Sequence, residues 1–242
     1  MISFGSTHVG QKRSINQDYI YFSDEPVGNL PNLYIVADGM GGHKAGDKAS
    51  SFAVEEFVKY VEESEDEHPL VLMKSAMDSV NEALFHLAVS KPEYEGMGTT
   101  FVAAVILDDS MYIMNIGDSR LYILEDNLIQ ISMDHSLVEE LVRNGQLTKE
   151  EARNHPQKNV ITRAVGVDTK VKADFFQVSM EEVRSVLLCS DGLTNMITEQ
   201  TMKYVLENTK SIRKAAEALI GLANDNGGLD NISVVIIEKE ER

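Results

Sequence analysis

Apolar positions along the chain recur in two rhythms. Short runs rich in β-branched and aromatic residues predict strands at Tyr19–Phe22, Leu33–Ala37, Thr100–Leu107, Met111–Ile116, Leu121–Leu124 and Leu128–Ile131, and again at Phe175–Val178, Val186–Cys189 and Ile232–Ile237. Helical spacing marks Ala45–Val61, Leu70–Val89, Ser136–Asn144, Lys149–Asn154, Glu199–Glu207 and Ile212–Asn224. Thr148 followed by Glu151 reads as a capping box opening the helix at Lys149. Close-set strands joined by short turns pair antiparallel, and the helix pairs between them belong on the outer sheet faces. The predicted fold class is α+β, a central antiparallel β-sandwich flanked by pairs of helices. No repeat, low-complexity tract or Pro-rich linker divides it, so residues 1–242 read as a single domain.

Composition narrows the setting. The 242 residues are 43% apolar, enough for a large core, and no run approaches the ~18 apolar residues of a membrane span. The start lacks the apolar stretch of a signal peptide, and the single cysteine, Cys189, excludes an internal disulfide framework. These features predict a cytoplasmic protein without membrane attachment. The 22 basic and 39 acidic residues give a net charge of −17, which repels nucleic acid and anionic lipid. Most of that charge reads as solvated helix faces such as the stretch from Glu62 to Glu67. A phosphorylated substrate would also be repelled, unless cations reverse the sign locally.

Some of the acids sit where solvation does not explain them. Three apolar strands run into Asp38, Asp118 and Asp191, and two more begin just after Asp18 and Asp230. In antiparallel pairing the end of one strand lies beside the start of its neighbour, so these carboxylates can meet at one edge of the sandwich. A lone aspartate there is ordinarily a turn residue or helix cap, and Asp38-Gly39 and Asp191-Gly192 are common turn dipeptides. Five acids with one relation to strand polarity weaken that reading. Gathered together they would take up protons unless cations neutralised them, and oxygen ligands select Mg²⁺ or Mn²⁺.

Other chemistries fit less well. The glycines of Gly39-Met40-Gly41-Gly42 and of Gly5–Gly10 do not complete a nucleotide-binding loop. Gly39 could instead lend its carbonyl to a metal. Cys189 lies at the end of an apolar strand and lacks the downstream arginine of a cysteine-dependent phosphatase, and no D-x-D-x-T/V pattern supports an aspartyl-phosphate route.

Six segments, in order along the chain, carry a resemblance. They are Arg13-Ser14-Ile15-Asn16-Gln17-Asp18, Val36-Ala37-Asp38-Gly39-Met40-Gly41-Gly42, Gly98-Thr99-Thr100, Asn115-Ile116-Gly117-Asp118-Ser119-Arg120, Leu188-Cys189-Ser190-Asp191-Gly192-Leu193 and Asp230-Asn231-Ile232-Ser233. Together they resemble the metal-dependent serine/threonine protein phosphatases of type 2C, the PPM family, in its bacterial form. The resemblance implies a four-layer αββα sandwich and a phosphatase acting on phosphoserine and phosphothreonine through water activated by two Mn²⁺ or Mg²⁺ ions. It implies that Asp38 bridges the two metals with the Gly39 carbonyl on one of them, that Asp18 serves a metal directly or reaches it through water, that Asp191 and Asp230 complete the pair, and that Asp118 helps hold a weaker third. Arg13 would bind the substrate phosphate, where a guanidinium offers a planar fork; the alternative is a surface salt bridge.

Two further expectations follow. Where many eukaryotic members carry a histidine proposed as general acid, this chain has Met40, which cannot donate a proton. His43 is the nearest substitute and a metal-bound water the rival. The insertion at 134–163 resembles the flap subdomain of bacterial members, with Leu137, Val138, Leu141 and Val142 on one side of its first helix, and its His135 and His155 read as turn residues. The implied partners are a Ser/Thr kinase and its target phosphoproteins, with the chain itself a monomer. The rival of another class is a catalytically inactive, metal-dependent binding or sensor module of the same fold.

Overall fold

A computed structural model describes residues 1–42, 45–66 and 68–239, so His43 lies outside the described residues. Two sheets face each other. One has the strand order β1 (Ile2–His8), β11 (Ile232–Glu238), β10 (Ser185–Cys189), β7 (Arg120–Leu124) and β8 (Leu128–Gln130). The other runs β2 (Asp18–Ser23), β3 (Leu33–Met40), β5 (Phe101–Leu107), β6 (Ser110–Ile116) and β9 (Asp174–Ser179), with β4 (Gly98–Thr99) added beside β3. The pairings between these strands are antiparallel.

The strands are apolar on both faces because each sheet is covered twice, and successive side chains alternate between the coverings. Tyr34 and Val36 of β3 point into the inter-sheet core with Val186, Leu188, Val235 and Ile237. Ile35 and Ala37 point outward against α1 (Ala45–Glu63) and α2 (Pro69–Ser90). On the other side Leu187, Val234 and Ile236 pack against α6 (Glu199–Asn208) and α7 (Ile212–Asp225). Ala45, Ala49 and Ala53 give α1 a small-residue stripe on the sheet, and Phe57 then meets Phe101 with ring centroids 5.0 Å apart. The four-layer αββα arrangement is the one expected. Among the described residues no helix is long and apolar enough to cross a membrane.

Three elements depart from the sequence reading. The glycine-containing run Ile2–His8 is strand β1, in register from Ile2 opposite Glu238 to His8 opposite Ile232, and its partly exposed residues carry no sharp alternation. The two-residue β4 is too short to show a period. Asp191 opens a four-residue helix, α5 (Asp191–Thr194), which the sequence pattern did not mark.

The 134–163 segment holds α3 (Leu137–Arg143) and α4 (Lys149–Arg153), neither with a fully buried residue. Ser136 caps α3 and the Thr148–Glu151 capping box is formed. A bridge between Ser136 and Ile161 closes its root.

Candidate metal centre

The register of β2 on β3 sets Asp18 directly opposite Asp38. Asp38 is gripped through its backbone: its N–H donates to Thr100 Oγ1 (2.9 Å), and its carbonyl accepts from Thr99 Oγ1 (2.9 Å) and the Thr100 N–H (2.9 Å). Thr100 Oγ1 is in turn 2.7 Å from Ser119 Oγ, so three of the sequence segments meet at this point. The Asp38 side chain is left free to face the cluster. Gly39 must be glycine for packing, since a Cβ there would collide with the Gly46 carbonyl of α1.

Asp191 stands in the first turn of α5, one oxygen accepting from Asn195 Nδ2 (2.9 Å). A Cβ at Gly192 would strike the Asn231 carbonyl, which locks this turn against the residues before β11. Asn231, which the sequence did not single out, braces the edge: its amide nitrogen donates to the Val9 (2.9 Å) and Ile15 (3.0 Å) carbonyls and its oxygen accepts from the Gln17 N–H (2.9 Å). Asp230 accepts from Arg13 Nη2 at 2.7 Å, so the expected phosphate ligand stands at the cluster in an ion pair with one of its acids. Its side chain is about half exposed, and the remaining guanidinium N–H groups are available to a substrate.

Crowding shows in the acid strengths. Burial raises Asp18 to about 7, with Asp191 and Asp230 pushing the same way and two serine hydroxyls opposing. Burial, then Asp18, Asp191, Asp118 and Asp230, hold Asp38 well above the usual carboxylate range. Asp191 is lifted to about 6 by burial and Asp230, and Asp118 is raised by burial, Asp191 and Asp134. Four aspartates are thus raised by burial and by the like charges around them. Asp18 Oδ1 and Asp191 Oδ1 are buried with no hydrogen-bond partner. Orphaned carboxylate oxygens are costly, and an oxygen-only donor set is the kind a hard divalent cation satisfies. Among the described residues no three His, Cys, Asp or Glu side chains are drawn in around one point.

Beside Asp118 and Asp191 a cleft of about 370 Å³ opens between α3 and α4 on one side and α6 on the other, lined also by Lys149, Arg153, Lys158 and Glu139. Arg153 ties the two walls by donating to the Ile197 carbonyl (3.1 Å). At the root of this segment Asp134 takes a bidentate pair from Arg120, with contacts of 2.7–3.0 Å. His135 is no turn residue. Its Nδ1 accepts from the Gly117 N–H (3.0 Å), and its backbone N–H donates to the Gly117 carbonyl (2.9 Å). Asp118 therefore lies between Gly117, clasped by His135, and Arg120, clasped by Asp134. His155 does serve a turn, accepting from the Gln157 N–H. Burial pushes the Cys189 thiol up to about 12, which suits inert core.

An antiparallel sandwich between helix layers, with acids converging at one edge, is the setting in which comparison with known proteins places a class of phosphatases. Residues 4–223 match the family described as protein phosphatase 2C. The chain is 43% identical over 216 residues to the serine/threonine phosphatase stp of Listeria welshimeri, covering 86% of this chain and 84% of that one. It is 39% identical over 239 residues to the protein phosphatase PhpP of Streptococcus pneumoniae, covering 97% and 96%. The solved serine/threonine phosphatase Stp1 from Staphylococcus aureus superposes with a TM-score of 0.92 at 36% identity, covering 99% of this chain and 95% of that one. The chain belongs to the protein phosphatase 2C family and is a phosphatase.

Proposed function

We propose that this phosphatase hydrolyses phosphoserine and phosphothreonine in proteins by attack of water at a binuclear Mn²⁺ or Mg²⁺ centre, opposing a Ser/Thr kinase in the cytoplasm. The observation that carries the reading is the pair of buried, partnerless oxygens, Asp18 Oδ1 and Asp191 Oδ1, inside a cluster of five aspartates. Asp38 would bridge the two cations, with the Gly39 carbonyl, Asp18, Asp191 and Asp230 completing the pair and Asp118 serving a weaker third. Bound there, the cations supply positive charge for a phosphoryl group and lower the pKa of water toward neutrality.

This chain's own residues do the rest. Asp38 holds its position because its backbone is pinned by Thr99 and Thr100, and Asp18 follows Gln17, whose N–H is held by Asn231. Arg13 offers its free N–H groups to the phosphate oxygens while Asp230 fixes its direction. Met40 contributes no proton, so the proton for the departing alkoxide comes from His43 or from solvent. The 134–163 segment acts as a flap whose basic residues line the approach to Asp118 and Asp191.

The test is phosphate release from phosphoserine, phosphothreonine and phosphotyrosine peptides. Turnover of the first two with Mn²⁺ or Mg²⁺, abolished by EDTA, is expected. Absence of turnover with ample metal would mark a binding module instead, and preference for phosphotyrosine would overturn the substrate class. Phosphoproteomes of cells with and without the protein would identify the opposed kinase's targets.

A further inference from the structure

Asp18 is held by a hydroxyl network that the metal reading does not itself require. Its Oδ2 accepts from Ser190 Oγ and from Ser233 Oγ, each at 2.7 Å, and all three residues are buried. The two serines are locked to each other, since the Ser233 N–H donates to Ser190 Oγ (3.0 Å) and the Ser190 N–H to the Ser233 carbonyl (3.1 Å). Ser233 Oγ also lies 2.7 Å from Thr7 Oγ1, which accepts from Asn16 Nδ2 at 2.8 Å. An ionised carboxylate only accepts, and a serine has one hydroxyl proton. With Asp18 ionised, as a bound cation would leave it, every direction in the chain is determined: Asn16 donates to Thr7, Thr7 to Ser233, and Ser233 and Ser190 to Asp18. Such a one-way chain strengthens each bond along it. Both donors fall on one carboxylate oxygen, and the other, Oδ1, is buried with no partner.

We propose that Ser190 and Ser233 are positioning residues for Asp18: by occupying Oδ2 together they fix the carboxylate's rotation and leave Oδ1 as the single oxygen offered to a divalent cation or to its water. The inference rests on the reading of Asp18 as part of the metal site. Hydroxyls at these two places do what partners behind metal ligands do elsewhere, where their loss costs about 10–100-fold in metal affinity.

The test is calorimetric titration of Mn²⁺ into the chelator-stripped protein for the parent, Ser190→Ala, Ser233→Ala, Ser233→Thr and Asp18→Asn, with thermal unfolding in EDTA verifying that each variant is folded. Each alanine variant should weaken the tighter Mn²⁺ binding about tenfold. Ser233→Thr, which keeps the hydroxyl, should return it to within about twofold of the parent. Alanine variants that bind like the parent, while Asp18→Asn binds weakly, would overturn the positioning role alone. Unchanged binding in Asp18→Asn would overturn the assignment of Asp18 and the proposal with it. Should Ser233→Ala not fold, Ser190→Ala and the threonine variant decide the matter by the same comparison.

Discussion

At the residue scale, Asp38 is a strand residue whose backbone is spent on packing and whose side chain is spent on charge. Asp38→Ala should lower kcat by at least about 10³-fold, the scale of losing one preorganised electrostatic group, with phosphopeptide turnover as the check. A value within a few-fold of the parent would remove Asp38 from the reaction. For the proton donor, His43→Ala should abolish the alkaline limb of the pH–rate profile if that side chain protonates the leaving group, and an unchanged limb returns the role to water. The acids were legible because each sits at a strand end inside a distinctive segment. Ser190, Ser233 and Asn231 lay in the same segments and were passed over, since serine and asparagine beside an aspartate are ordinary turn chemistry until the fold shows them buried. His135 failed for the opposite reason: a histidine between predicted elements reads as a turn residue, and only the contact with Gly117 reveals it as a brace.

At the scale of elements, the 134–163 segment has two helices without a buried residue and is held by its root. The Arg120–Asp134 pair is bidentate, and the Asp134 side chain is only 9% exposed. Removing Arg120 leaves the enclosed Asp134 carboxylate unpaired, so Arg120→Ala should cost roughly 3 kcal/mol and lower Tm by about 6–12 °C in a chain of this size. A loss under about 0.5 kcal/mol would mean the pair is solvated and the flap anchored elsewhere. The long helices and the apolar strands followed from periodicity to within a few residues, because each has a face buried along its whole length. β1, β4 and α5 escaped because their order comes from partners far away in sequence. β1 is held by its ladder to β11, β4 by two residues of β3, and α5 by the close approach of Gly192 to Asn231. Tertiary pairing, not local pattern, makes these elements.

At the scale of the molecule, the −17 charge and the buried acid cluster act in the same direction. Asp18 and Asp191 hold protons in the metal-free fold up to about pH 7 and pH 6, well above where unfolded aspartates release theirs. A carboxyl whose folded pKa is raised binds more protons folded than unfolded, so stability falls as pH rises through that value. In EDTA the protein should therefore unfold at a higher temperature at pH 6.5 than at pH 8. Below about pH 6.5 His135 opposes the trend, because burial lowers its pKa and protonation then favours the unfolded chain. Added Mn²⁺ should raise Tm most at pH 8, where the acids are ionised, since a cation that binds only the folded state stabilises by mass action. Equal Tm at both pH values in EDTA would show that the aspartates are not coupled as described. The most direct measurement of the central claim is the number of Mn²⁺ ions that chelator-stripped protein binds by isothermal titration calorimetry, beside Asp38→Ala. The account predicts two sites and a weaker third in the parent, with the tight pair lost together in the variant; a parent that binds none, or a variant that binds as the parent does, would contradict it.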